Sequence, residues 1–432
     1  MSHNSTPLAE LIHDADALDA LDALTDSGML YSSSSALELS QRLRAQGFSP
    51  SVASQIVTQH RLRSLARPKL GDSAMRMLFT NDAVEQATRA RVATLHARHF
   101  QAVGAETVID FGCGIGSDSL AFARAGLTVQ AVELDDERYL AAQYNLGDYP
   151  NATVIHADAA AYLRTDHTRR LGVRNDVLWI DPARRKNGKR LYDPRMWQPS
   201  LDDAIEYCRL FSSAGIKVGP GIDYSFLPSD AHVEWISEGR SLLEAVIWLG
   251  NCAHTPMRTA TMIDDDATVH HFTSHLGNPC DAPRLCEPTD VGEYIIEPDP
   301  AIIRSGGIAS YAEQFELAPV SPGIAYLTPS RAGGVATQVP MYSHGSIYPH
   351  AQVFRIHSIH KINAKQLSKE LRNREIGSVE IKKRGTDIEP QALRKALRLD
   401  KQAPHSCTII LTPILGQHRA IIASRVTSRA VL

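Results

Sequence analysis

Val108-Ile109-Asp110-Phe111-Gly112-Cys113-Gly114-Ile115-Gly116-Ser117-Asp118 is the stretch on which the reading of this chain turns. Val108 and Ile109 read as the end of a buried strand and the glycines as a tight turn. Ser117-Asp118-Ser119 predicts the cap of a helix continuing through Leu120-Ala121-Phe122-Ala123. A strand, a glycine turn and a helix N-terminus make a nucleotide cradle, because glycine lets the backbone approach a ligand closely and the first helical amides are free. The spacing argues against a dinucleotide. Gly112, Gly114 and Gly116 take the first, third and fifth places, whereas the dinucleotide fingerprint needs glycine at the sixth, here Ser117.

The acids decide among the remaining nucleotides. Asp110, at the strand end, would repel a diphosphate but hold the ammonium of a methionine moiety. The next strand, Thr128-Val129-Gln130-Ala131-Val132-Glu133, ends in an acid suited to ribose hydroxyls, and Thr153-Val154-Ile155-His156-Ala157-Asp158 ends in one suited to an adenine amine. These residues point to S-adenosylmethionine. In order, Asp110, Gly112, Gly114, Gly116, Glu133 and Asp158 resemble the cofactor site of class I S-adenosylmethionine-dependent methyltransferases, over roughly residues 80 to 250. The resemblance implies an α/β, Rossmann-like seven-stranded sheet. The segment from Leu78 to Thr88 predicts a capped helix running to about Phe100, and in the resemblance Thr80 becomes a candidate contact for the cofactor's carboxylate. Plain N-capping by Thr80 or Asn81 explains the same residues.

Strands are expected near 106–110, 128–133, 152–156, 176–180, 214–219, 231–237 and 243–249, the last two as an antiparallel hairpin through Glu238-Gly239-Arg240. The fourth, Asp176-Val177-Leu178-Trp179-Ile180, leads into Asp181-Pro182-Ala183-Arg184-Arg185 at the carboxyl edge, where open α/β sheets bind ligands. Amino-group methyltransferases carry at this point an acid or Asn, two prolines and an aromatic. Asp181 and Pro182 match that pattern and are the expected catalytic pair, while Ala183 replaces the second proline and Arg184 the aromatic. Arg184 and Arg185 are candidates to stack on a base or clamp a phosphate, or to pair with nearby acids. The tetrad also resembles the Asp-Pro-Pro-Arg of enzymes that methylate carbon-5 of uracil. Those need a cysteine after the fifth strand, where this chain has Lys217-Val218-Gly219-Pro220, so Cys252 reads as a buried thiol.

The totals bound the rest. A chain of 432 residues predicts two or three domains, and a net charge of −3 with 22% charged residues leaves nucleic-acid binding to local patches. Six scattered cysteines, no signal segment and no run of about eighteen apolar residues predict a cytoplasmic protein without a membrane span. His254, His270, His271, His275, Cys280 and Cys286 fit no usual metal-ligand spacing, and no metal is expected.

Residues 1–79 predict a small helical bundle, with a helix started by Ser49-Pro50 and a basic end, Arg61, Arg63, Arg67 and Lys69, that is either a phosphate grip or a solvated face. Residues 251–340 read as a β-rich extension and linker. Residues 341–432 read as a small α/β module of its own. That module is basic and resembles the THUMP-like domain appended to certain bacterial class I methyltransferases, most clearly at Ile381-Lys382-Lys383-Arg384-Gly385. The resemblance implies RNA as partner, with Lys382, Lys383 and Arg384 as candidate contacts. The expected function is methyl transfer to RNA, to a base exocyclic amine if the Asp181-Pro182 match holds. A protein or small-molecule methyltransferase and a non-catalytic RNA-binding protein stay open as alternatives.

Overall fold

Ser49 Oγ accepts the amide of Val52 and Pro50 occupies the first helical position, so the longest helix among the described residues starts where its sequence signals place it. A computed structural model describes residues 6–29, 31–32, 34–164, 175–186, 189–330 and 348–426. Its first four helices are α1 (Pro7–Ile12), α2 (Ala15–Asp26), α3 (Ser35–Ala45) and α4 (Pro50–Leu70). They bury Leu8, Leu11, Leu21, Leu39, Leu43 and Ile56 at helical spacing. The basic end of α4 is only in part a solvated face, at exposed Arg67. Arg63 is fully buried and reaches Asp22 (2.6 Å) and the Met77 carbonyl (3.0 Å), and Lys69 donates to the carbonyls of Val84 and Glu85. Arg63 and Lys69 staple neighbouring segments together.

The predicted helix from Thr80 to Phe100 is broken in two. A single turn, α5 (Ala83–Gln86), gives way to an extended Ala87, and α6 runs over Ala90–Ala102. The interruption feeds Thr88 into a buried polar network. Ahead of it, Gln59 brackets Phe79 through both its backbone groups, and Asn145 joins Leu78 to the Ile115 carbonyl, so the chain is anchored to the glycine turn before it enters the sheet.

The chain divides into two compact units. The first comprises residues through Val218 with Asp230–His232 and Val246–His254, and the second comprises the rest. Parallel strands β1 (Thr107–Phe111), β2 (Thr128–Glu133), β3 (Ala152–His156) and β4 (Asp176–Ile180) carry the first unit, with helices α7 (Ser117–Arg124), α8 (Asp136–Asn145) and α9 (Ala159–Leu163) between them. After a two-stranded ribbon, β5 (Arg185–Lys186) and β6 (Lys189–Arg190), come α10 (Leu201–Cys208) and β7 (Ser213–Val218), which pairs parallel with β4. Gly215 on β7 is needed for close approach: a Cβ there would lie 2.7 Å from the rings of both Trp179 and Trp248.

β8 (His232–Glu238) and β9 (Ser241–Gly250) form the expected hairpin, turning at Gly239 and Arg240, both with positive φ. The sheet holds nine strands, two more than the seven expected. β10 (Met257–Ile263) and β11 (Val269–Leu276) lengthen it to the order β11-β10-β8-β9-β7-β4-β1-β2-β3. They come from the proline-rich stretch expected as an extension, where the apolar face of β10 needs a sheet edge to bury it.

The C-terminal sheet also exceeds its expected bounds. β15 (Ala351–His360), α13 (Ala364–Asn373), β16 (Ile376–Lys383), α14 (Pro390–Leu397), β17 (His405–Ile414) and β18 (Gln417–Arg425) follow the predicted pattern. Between β11 and β15 lie β12 (Tyr294–Pro298), α11 (Pro300–Arg304), α12 (Ile308–Gln314), β13 (Leu317–Pro319) and β14 (Leu327–Pro329). β12 pairs antiparallel with β15, so the seven-stranded sheet β13-β14-β12-β15-β18-β17-β16 begins before the module does. Leu367, Leu371, Leu393 and Leu397 of its two helices pack on Ile409, Leu411 and Ile422. No helix among the described residues is long and apolar enough to cross a membrane.

Candidate active site

Gly112, Gly114 and Gly116 all have positive φ (76°, 60° and 84°), a conformation costly for any residue with a Cβ. At Gly112 and Gly114 an added Cβ would meet nothing within 4 Å, so the turn faces open space that a ligand can fill. Its backbone is fixed from behind. The amides of Gly112 and Cys113 donate to the Val132 carbonyl, and that of Gly114 donates to Glu133 Oε2 at 2.8 Å. Glu133 Oε1 takes the amides of Leu134 and Asp135, which holds its carboxylate rigidly at the end of β2.

Asp110, near the end of β1, is almost fully buried and accepts from Ser119 Oγ at 2.5 Å. Burial, then repulsion from Asp118 and Asp181, pushes its carboxyl up to about 8, against the Ser119 bond and the Lys217 ammonium. An incoming ammonium would reverse that balance. An open glycine turn, a buried acid whose ionisation is opposed by burial and by neighbouring acids, and a fixed Glu133 together fit S-adenosylmethionine.

Asp118 does not cap α7. Gly116 occupies the cap position in a left-handed conformation, and Asp118 turns inward to accept from Thr88 Oγ1 (2.5 Å) and meet His96 Nδ1 (2.9 Å). Lys217, on fully buried β7, donates to Thr88 at 2.8 Å, lies 3.8 Å from Asp118 and contacts Asp181 Oδ2 directly. Burial opposes ionisation of Asp118, but the Lys217 ammonium and His96 outweigh it and draw the carboxyl down to about 2. No local motif singles out Lys217, Asp118, Thr88 and His96 as a group. The one signal in the sequence is a lysine inside the apolar run Ala214-Gly215-Ile216-Lys217-Val218, since a buried ammonium requires a carboxylate partner.

Asp181 stands at the carboxyl end of β4 with 29% of its side chain exposed, next to a buried Pro182. Ala183 pairs with Gln198 through both backbone groups, Arg184 is half-buried, and Arg185 is exposed, 4.0 Å from Glu85. Thr80 donates to Asp82, which pairs with Arg138 at 2.6 Å. Asp158 caps α9 by accepting the amide of Ala161. In the second unit, Lys382 (2.8 Å) and Arg384 (3.0 Å) converge on the buried carboxylate of Glu297, and Lys383 lies 3.9 Å from Glu389. Cys252 is buried, and burial pushes its thiol up to about 12, well away from nucleophilic character. Among the described residues no group of three or more His, Cys, Asp or Glu is arranged to hold a metal ion.

Three comparisons bear on this architecture. Residues 351–425 match the THUMP domain-like family. Uncharacterized S-adenosylmethionine-dependent methyltransferases of Mycobacterium tuberculosis, from strains H37Rv and CDC 1551, are each 29% identical over 356 residues, covering 81% of this chain and 90% of their own length. A crystal structure from Porphyromonas gingivalis W83, whose own methyltransferase assignment is provisional, is similar with a TM-score of 0.68 over 92% of this chain and 99% of that one, at 18% identity. The fold is therefore a Rossmann-like methyltransferase sheet with N-terminal helices and a C-terminal THUMP-like α/β domain.

Proposed function

We propose that this S-adenosylmethionine-dependent methyltransferase, with its C-terminal THUMP-like domain, acts on RNA at an exocyclic amine of a base. The observation that carries the reading is Asp181, a partly exposed carboxylate locked by buried Lys217 at the carboxyl edge of the sheet. When bound, S-adenosylmethionine supplies an electrophilic methyl group on a sulfonium. This chain's residues must then bind it and set the acceptor in line.

For binding, Asp110 holds the ammonium, the Gly112 to Gly116 turn receives the methionine moiety, Glu133 takes the ribose hydroxyls, Asp158 the adenine amine and Thr80 the carboxylate. For transfer, an exocyclic amine has a delocalised lone pair, so two acceptors must draw its protons aside to aim that pair at the methyl. Asp181 and the Pro182 carbonyl are those acceptors. Lys217 is a positioning residue: its contact with Oδ2 fixes the carboxylate's rotamer, so the acceptor meets a preset geometry.

RNA is supported by the THUMP-like domain and by its exposed cations. Lys365, Lys369 and Arg372 recur at one-turn spacing along α13, and Arg394, Lys395 and Arg398 line the end of α14. With Lys382 and Arg384 engaged by Glu297, these helix faces are the better-placed contacts of the domain. The reaction is assigned to the cytoplasm. The test is mass spectrometry of nucleosides from the RNA of cells with and without the protein. One methylated nucleoside should vanish without it. An unchanged nucleoside profile, with labelled methyl passing to a protein or small molecule, would contradict the reading.

A further inference from the structure

We infer that the two segments directly after Asp181, residues 183–186 and 189–198, form a docking surface for single-stranded RNA, with Tyr192 stacking a base and Arg185, Lys189 and Arg190 taking phosphates. This rests on RNA being the methyl acceptor. Both segments are held by backbone hydrogen bonds. Ala183 and Gln198 exchange backbone hydrogen bonds at their base (2.8 and 3.2 Å), Leu191 donates to the Arg184 carbonyl at 2.8 Å, and Arg185 pairs with Arg190. Inside, buried Trp197 donates its indole N–H to the Leu191 carbonyl at 3.0 Å.

The exposed side chains of these segments have another composition, with the acid Asp193 tied to Arg195 at 2.7 Å. Arg185, Lys189 and Arg190 are exposed. Tyr192 is 86% exposed, and the Arg190 guanidinium lies 5.9 Å from its ring centroid. A large aromatic left in water and interleaved with cations matches what unpaired nucleic acid requires: a face for a base and charge for the backbone. The segments close at Ala183, two residues beyond Asp181, and Tyr192 follows the ribbon strand that ends at Arg190. A base held there is already out of a duplex stack, the condition for its amine to meet an acid at the sheet edge. An acidic protein partner would use the cations but not the bare aromatic, so the observations favour RNA.

The test uses the full-length protein, a fluorescent single-stranded RNA oligonucleotide, polyglutamate as an acidic control, and calorimetry with S-adenosylmethionine. Reversing Arg185, Lys189 and Arg190 to Glu should weaken RNA binding at least about tenfold and reduce the salt slope by roughly two, at about 0.7 per lost phosphate contact. Tyr192→Ala should weaken it about tenfold with the slope unchanged, and Tyr192→Phe should bind as wild type. S-adenosylmethionine affinity should be the same in all variants, which also shows that they fold. If wild type binds and methylates RNA and these variants do so equally well, the assignment of these segments is overturned while the RNA reading stands. If the variants lose only polyglutamate, the segments serve a protein. If wild type neither binds the oligonucleotide nor methylates total RNA from cells lacking the protein, both readings fall.

Discussion

Lys217 stands between two carboxylates, Asp118 and Asp181, and Glu297 stands between two cations, Lys382 and Arg384. The two centres are mirror images in charge, and each is built around a buried ion on a strand. They differ in what lies open. Around Glu297 both carboxylate oxygens are engaged by the two cations, and although burial works against its ionisation, Lys382 and Arg384 hold its carboxyl below the usual range. Around Lys217, Asp118 is sealed among Thr88 and His96, but Asp181 keeps part of its carboxylate at the sheet's edge. What stays partly exposed is a cation in one centre, Arg384, and an acid in the other, Asp181. An oriented acid can draw a proton from a substrate, which is why the same ion-pair chemistry supports a structural role in one place and a catalytic proposal in the other.

The contrast is sharpest in stability. Glu297→Ala leaves two half-buried cations facing each other and should destabilise the protein by about 2–3 kcal/mol in urea unfolding, with S-adenosylmethionine affinity unchanged. A smaller loss than from a surface charge mutant would erase the distinction drawn for Glu297. Next in size, Lys217→Met should lower kcat roughly tenfold while moving KM for RNA little, because it frees the rotamer of Asp181 without removing the acid. The same variant carries a pH signature. Asp118, held near 2 in the fold, contributes stability that is present above the ordinary carboxylate range and lost as pH falls from about 4 to 2. Without Lys217 that acid-side loss should shrink, as read from denaturation midpoints at a series of pH values.

The smallest effect concerns Asp110. Its carboxyl, pushed up to about 8, is protonated in the free protein at pH 7, so its folded-state proton favours the fold at low pH and that contribution fades as pH rises through 8. Binding the cofactor's ammonium should expel this proton. Calorimetry at pH 7 in buffers of different ionisation enthalpy should therefore show release approaching one proton, abolished in Asp110→Asn. No buffer dependence in the wild type would remove Asp110 from the ammonium's site.

Much of the central sheet is legible in the sequence because short apolar runs ending in an acid or a glycine are local signals. Thr128–Glu133, Ala152–His156 and Asp176–Ile180 fall where the sequence puts them, and all three glycines of the turn take positive φ. What is not legible is the part that depends on distant partners. Ser117-Asp118-Ser119 reads locally as a helix cap, yet Asp118 is taken by Thr88 and His96, 30 and 22 residues away, and Ser119 by Asp110. The break in the helix at Thr88 has the same origin. β10 and β11 escape because proline-rich surroundings mask strands that are stabilised only by the sheet edge they join. In the C-terminal domain, a basic sequence block does not reveal that Lys382 and Arg384 turn toward Glu297, 85 and 87 residues earlier in the chain.

The most direct test of the account is Asp181→Ala, assayed for methyl transfer to RNA from cells lacking the protein and, in the same preparation, for S-adenosylmethionine affinity. A catalytic acid at the edge of β4 predicts turnover lower by a factor on the order of a hundred or more with cofactor affinity nearly intact. Full turnover would make Asp181 merely the partner of Lys217, and a parallel loss of cofactor affinity would move it into the cofactor pocket.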